Sequence, residues 1–171
     1  MRGGFLPPVP LPAHMWAGGD VIHIAPLKIG ETFTRRSVIG DITAKQGRSG
    51  VLVFVSVEHE HLSGNQLCIR EQQSIVYRQI TAPRPVKNAP AAADPTTLRS
   101  SLAPDPVLLF RYSALTFNAH RIHYDHVYAT QTEAYPGLVV HGPLQATLLL
   151  NLAASTLHDP PHQFSFRVSL R

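Results

Sequence analysis

The sequence holds a single cysteine, Cys68, in 171 residues, so no disulfide can form within the chain. The expected role of that thiol is a small, buried apolar residue in a strand. Charge is sparse, with 15% of residues charged. Lysine and arginine total 15 against 11 acidic residues, for a net charge of +4, but there is no basic block with interleaved aromatics to grip a nucleic acid. Lys45 and Lys87 read as solvated surface. No apolar run approaches the ~20 residues of a membrane-spanning helix. The start, Arg2 followed by glycines and prolines, lacks the apolar core of a secretory signal. These absences exclude a disulfide scaffold and argue against a nucleic-acid binder and a membrane protein. They lead to the expectation of a cytoplasmic protein.

Proline is abundant, with 15 in the chain, and it clusters in two places. Pro7, Pro8, Pro10 and Pro12 rule out a helix in the first 19 residues, so irregular or polyproline backbone is expected there. Trp16 is the expected anchor of this lead-in on a sheet. Residues 79–106 carry six further prolines and an alanine run, a composition that packs no core and reads as a linker. The expected domains are residues 1–80, a linker at 81–106, and residues 107–171.

Between the two proline clusters, residues 21–24, 32–42, 51–61 and 66–78 alternate and are rich in β-branched side chains. They are separated by Gly30, by Gly47 with Gly50, and by Ser63-Gly64-Asn65, which predicts an antiparallel meander of about four strands. Glu58, His59, Glu60 and His61 suggest a metal set on paper. Neighbouring strand positions point to opposite faces, however, so they read as a solvated edge, and no metal is expected. Residues 107–112 are predicted to form a short apolar strand, 121–130 to contain a short helix, and 143–157 to form a long one. Leu144, Leu148 and Leu152 make a stripe on that last helix, and its apolar character predicts burial. Residues 163–171 could add one more strand.

The chemistry concentrates in residues 110–152. Asn118 and His123 lie five positions apart at a predicted helical turn, followed by Tyr124 and Asp125. Neutral imidazole is suited to take and return a proton near pH 7, and the Asn118 amide can hold a water or a substrate oxygen. Downstream, Gly142 precedes Pro143 at a predicted helix start. The unpaired N–H groups and partial positive charge of a helix start suit an oxygen that turns negative during reaction. Taken singly, His120, His126, His141 and His158 read as structural histidines. Asp125 reads equally well as the orienter of an imidazole or as a helix cap.

Residues 113–125 and the run Tyr135-Pro136-Gly137-Leu138-Val139-Val140-His141-Gly142-Pro143-Leu144 resemble the MaoC-like, hydratase 2 group of hot-dog proteins. They resemble in particular its 3-hydroxyacyl-thioester dehydratase and mesaconyl-CoA or itaconyl-CoA hydratase branch. Met15-Trp16-Ala17-Gly18-Gly19 and Gly47-Arg48-Ser49-Gly50 extend the resemblance to the first half. It implies an α+β double hot dog, an antiparallel sheet wrapped on a central helix. It also implies that Asn118 stands at the catalytic Asp position, His123 at the catalytic His and Gly142 at the oxyanion glycine. Phe117 replaces a Gly, His120 an Asn and Arg121 a Pro of the wider group's pattern.

The activity so implied is reversible hydration of an enoyl thioester to the 3-hydroxyacyl thioester. Its substrate would be an acyl-CoA or acyl-carrier-protein thioester, with coenzyme A or pantetheine as part of the substrate and no separate cofactor. A homodimer is implied too, in the cytoplasm or, in a eukaryote, the mitochondrion. A double hot dog needs more chain than this, and truncation at both ends is the expectation. Two other functions stay open: a non-catalytic thioester-binding or dimerisation module, and a hot-dog thioesterase.

Overall fold

The computed structural model describes residues 4–47, 50–79 and 99–168. Five strands form one sheet: β1 (Ala13–His23), β2 (Phe33–Gly47), β3 (Gly50–Ser63), β4 (Gln66–Arg78) and β5 (Gln163–Arg167). Their order is β2-β3-β4-β1-β5, and every pairing is antiparallel. The meander expected of four successive strands holds for β2 to β4 only. Tight reversals with Gly50 and Gly64 at positive φ join those three, whereas the longer connection through Pro26 and Gly30 lets β1 cross to the far side of β4.

β1 also begins earlier than expected, directly after Pro12, inside what read as irregular lead-in. A proline just before a strand costs the ladder no donor within it. The register shifts between Trp16 and Gly18, and a side chain at Gly18 would collide with the Phe166 carbonyl of β5. That close approach requires glycine. Trp16 stacks on Phe166 with ring centroids 5.5 Å apart, so it ties the last strand to the first.

One face of the sheet carries the apolar core. Val55 and Val57 alternate onto it, fully buried, and cluster with the buried Leu11 and Tyr77, and Leu6, Val9, Ile39, Val53 and Ile75 pack against them. Each buried valine contributes on the order of 1.5–3 kcal/mol. The proline-rich lead-in thus supplies core side chains. Cys68 is buried, free and in β4. The 58–61 stretch is corrected by the topology: β3 lies between β2 and β4, so it is no edge, and His59 is buried on the same face as Val55 and Val57. Among the described residues no group of side chains could hold a metal ion.

The described residues group into two compact units, 4–79 with 149–168 and 99–148. β5 therefore belongs with the first sheet, and the proline-alanine stretch at 80–98, with Lys87, lies outside the described residues. In the second unit, residues 107–112 are helical rather than extended: α1 spans Pro106–Leu115. Asp105 accepts from the Leu108 N–H at 2.7 Å, and Pro106 stands in the first turn. A side-chain N-cap followed by proline overrides the β-like composition. A 3₁₀ turn at Arg121–His123 and a π turn at Tyr128–Thr132 follow.

α2 runs from Gly142 to Leu157. It is less buried than its composition predicts: Leu144 and Ala146 are buried, whereas Leu148, Leu149 and Leu157 are 40%, 47% and 60% exposed. All five strands among the described residues lie in one sheet. No helix among the described residues is long and apolar enough to cross a membrane.

Candidate active site

The second unit brings the expected residues into one neighbourhood through backbone irregularities. Thr116 caps the end of α1, and Phe117 follows with φ 52. A left-handed phenylalanine costs on the order of 1 kcal/mol or more. The chain thereby doubles back, and the Asn118 N–H donates to the Ser113 carbonyl at 2.9 Å. The Asn118 side-chain oxygen then accepts from the His120 N–H at 3.1 Å. This local turn delivers residues 121–123 into their 3₁₀ conformation.

His123 is buried, 7% exposed. Its Nδ1 lies 2.7 Å from the Val139 carbonyl oxygen. A carbonyl can only accept, so Nδ1 carries the hydrogen and Nε2 keeps the lone pair. Burial lowers the affinity of this ring for a proton, against smaller opposing effects of the Val139 bond and the Glu133 charge. His123 is thus a neutral base with a fixed tautomer.

His141 lies flat on His123, centroids 3.7 Å apart and planes 19° from parallel. It is completely buried. Its Nε2 is 2.8 Å from Ser113 Oγ, and its Nδ1 has no hydrogen-bond partner. Tyr112 meets its edge at 4.9 Å. Desolvation first, then the neighbouring His123 and His120, push its pKa down to about 4, so this ring is neutral near pH 7. Gly142, the next residue, is the first of α2, and its backbone N–H belongs to the helix start that suits an oxyanion.

His120 stands edge-on to His123, centroids 5.6 Å apart and planes at 88°. Its Nε2 is 3.8 Å from Glu133 Oε1. Asp125 is occupied otherwise. It takes two bonds from Arg121, at 2.7 and 3.0 Å, and accepts from the Tyr128 N–H. The Tyr128 N–H first, then Arg121, hold its carboxyl below the ordinary range. Of the two roles open to Asp125, the structure supports the cap.

The histidines at 120 and 141, each read alone as structural, therefore both lie against His123, and Ser113 and Glu133 join them. Sequence reasoning assigned those last two no role. For His141 the available signal was its position directly before the helix-start glycine. For Ser113 and Glu133 there was none, because their contacts span 28 and 13 positions. A shallow, largely apolar depression of 270 Å³ opens beside this group, lined by Phe110, Ser113, Ala114, Phe117, Asn118, Ala119 and Tyr124. A larger trough of 780 Å³ lies on the first unit's sheet, lined by Asp20, Asp41, Glu58 and Lys45 among others. It contains neither an imidazole nor a helix start.

Comparison with known proteins places the chain in a family. The profile of the hydroxyacyl-thioester dehydratase type 2 family matches residues 2–170. The chain belongs to that family. It is 52% identical over 170 residues to the mesaconyl-C(4)-CoA hydratase of Chloroflexus aurantiacus, covering 97% of this chain and 60% of the relative. It is 43% identical over 117 residues to the mitochondrial hydroxyacyl-thioester dehydratase type 2 of Schizosaccharomyces pombe, covering 62% of this chain and 36% of that one. Among solved structures, a MaoC-like dehydratase superposes with a TM-score of 0.70 at 16% identity, over 95% of this chain and 62% of the other. HtdX of Mycobacterium tuberculosis does so at 0.65 and 20%, over 92% and 61%. The fold is accordingly the α+β hot dog of these proteins. The chain spans about 60% of the length of its Chloroflexus relative.

Proposed function

We propose that this chain carries the site for reversible hydration of a 2-enoyl thioester to the 3-hydroxyacyl thioester, with an acyl-CoA or an acyl-carrier-protein thioester as substrate. The observation that carries this reading is a neutral imidazole, His123, with its tautomer fixed by Val139 and its ring stacked on the residue that precedes the helix-start Gly142. On this reading a base and an oxyanion donor serve one reacting group. Membership of a family of dehydratases and the hydratase relative support the same reaction class.

In the hydration direction His123 Nε2 takes a proton from water as the oxygen attacks C3. The electron pair of the double bond moves toward the thioester carbonyl, and the Gly142 N–H stabilises the enolate-like oxygen. Asn118, whose side-chain oxygen is engaged by the His120 N–H, has its amide N–H groups to hold the attacking water. A general base contributes about 10²–10⁴-fold and one oxyanion donor about 10²–10³-fold. No oxidation or reduction accompanies addition of water, so the reaction asks for proton transfer and charge stabilisation alone.

The test is to incubate the protein with crotonyl-CoA and with butyryl-CoA while following the double-bond absorbance and free thiol separately. Loss of the double bond without thiol release is the expected outcome. Thiol release from both substrates would make the chain a thioesterase, and binding without either change would make it a thioester-binding module.

A further inference from the structure

The hydration reaction moves two protons, one from water and one to C2, and His123 has been given the first. Asn118 occupies the position where the wider group carries an acid, and an amide cannot supply the second. Asp125 is held by Arg121 and the Tyr128 N–H. Among the described residues, the imidazoles and the carboxylate gathered at His123 are His120, His141 and Glu133. His141 is completely buried behind the ring it stacks on.

We propose that His120, held as an imidazolium by the carboxylate of Glu133, is the acid that delivers the proton to C2, while His123 acts on water. The proposal rests on the hydratase reading above and assigns it a second catalytic residue. Glu133 has a side chain only 9% exposed, and its ion-pair partner is His120 at 3.8 Å. A carboxylate taken out of water is stabilised by a counter-charge, and its nearness favours the protonated form of the ring 3.8 Å away. The side chain of His120 is 33% exposed, so a substrate can reach it. Its edge-on approach to His123 at 5.6 Å separates the two rings enough for one reacting acyl group to meet both. Paired titratable groups whose surroundings favour opposite protonation states are how acid and base roles are divided in one site.

Among the groups facing His120 are Glu133, His123, the Asn118 side chain bonded to the His120 N–H and, at longer range, His141. Tyr128 hydrogen-bonds Glu133 from the preceding turn. Glu133 is a positioning residue in this scheme. The step balances: water loses a proton to His123, its oxygen bonds to C3, and the C2 carbanion equivalent takes the proton of His120. Transfer of the proton from His123 back to His120 through solvent then resets the site.

The experiment is the pH profile of kcat and KM for crotonyl-CoA hydration by the wild-type chain, H120Q and E133Q, with an NMR titration of the histidine rings of the wild type. The expected wild-type profile is a bell. H120Q should lower kcat by about 10²–10³-fold with KM little changed and should abolish the alkaline limb, in line with loss of a general acid. E133Q should move the alkaline limb to lower pH by about one unit or more, as expected for removal of a nearby opposite charge. Wild-type kcat and an intact bell in H120Q would overturn the assignment while leaving the hydratase reading standing. Absence of hydration by the wild type at every pH would overturn both. A neutral His120 ring in the wild type at pH 7 would overturn the acid role whatever the variants do.

Discussion

Both units of this protein contain a serine hydroxyl bonded to a buried imidazole, and the two pairs have different surroundings. In the sheet, Ser37 Oγ lies 2.7 Å from His59 Nδ1. In the helical unit, Ser113 Oγ lies 2.8 Å from His141 Nε2. The sheet pair is a cross-strand row: Ser37, His59 and Glu71 occupy facing positions on β2, β3 and β4, and burial of His59 lowers its pKa against the pull of Glu71. Regular pleating spaces such side chains like rungs, so they meet only their direct neighbours. The helical pair sits where a left-handed residue, a 3₁₀ turn and a helix start converge. Two imidazoles, His120 and His141, collect there around His123, with the Glu133 carboxylate beside His120. The contrast teaches that a hydroxyl–imidazole bond alone does not mark a reactive site. What distinguishes the second pair is the irregular backbone that stacks its ring on another imidazole beside the helix-start Gly142.

The sharpest way to break this comparison is to truncate one histidine in each unit. H123A should reduce crotonyl-CoA hydration by about 10²–10⁴-fold, whereas H59A should leave it within a few-fold in a chain of unchanged circular dichroism. Comparable losses in both would remove the distinction.

A second test uses acid. His141 has a folded-state pKa of about 4, below that of an exposed histidine, about 6.5. Its contribution to stability is therefore present above about pH 6.5 and is lost as pH falls toward 4, because there the unfolded chain binds the extra proton. The full effect is on the order of 3 kcal/mol. Urea unfolding at pH 7 and pH 4.5 should show the wild type losing more stability than H141F, whose ring cannot titrate. Equal acid sensitivity in the two proteins would contradict the assignment.

Removing the two hydroxyls sharpens the contrast further. S113A strands the Nε2 of a completely buried ring and should cost about 1–3 kcal/mol. S37A acts on a ring that has Glu71 and Gln73 as further neighbours and should cost less, about 0.5–1.5 kcal/mol. The midpoints of thermal or urea unfolding rank the two. The smallest effect is expected at the start of the helical unit. D105A removes the cap of α1 and should cost roughly 1 kcal/mol, and D105N should restore most of it.

The strands were legible in the chain because alternation is a local signal. Val51 to Val57 announce a pleated segment, and Gly64 announces its end. The long helix at 143–157 was legible for the same reason, with Pro143 at its start. The strand expected at 107–112 was wrong because Val107, Leu108, Leu109 and Phe110 carry no period of their own, and Asp105-Pro106, the deciding cap, lies just outside the run. The order of strands was illegible, since β1 pairs with β4 across some fifty residues. His123, Asn118 and Gly142 could be named from motif spacing, whereas Ser113, Glu133 and the ring of His141 gain their roles from contacts between distant positions.

Composition and local pattern by themselves determined which segments could pair as strands, where helices could begin, and that an imidazole and a helix-start glycine were available for proton transfer and oxyanion binding. Only the tertiary structure decided which imidazole is neutral, which is paired with a carboxylate, and which is sealed from water. Those properties depend on burial and on neighbours brought together by folding, and neither is encoded by the spacing of residues along the chain.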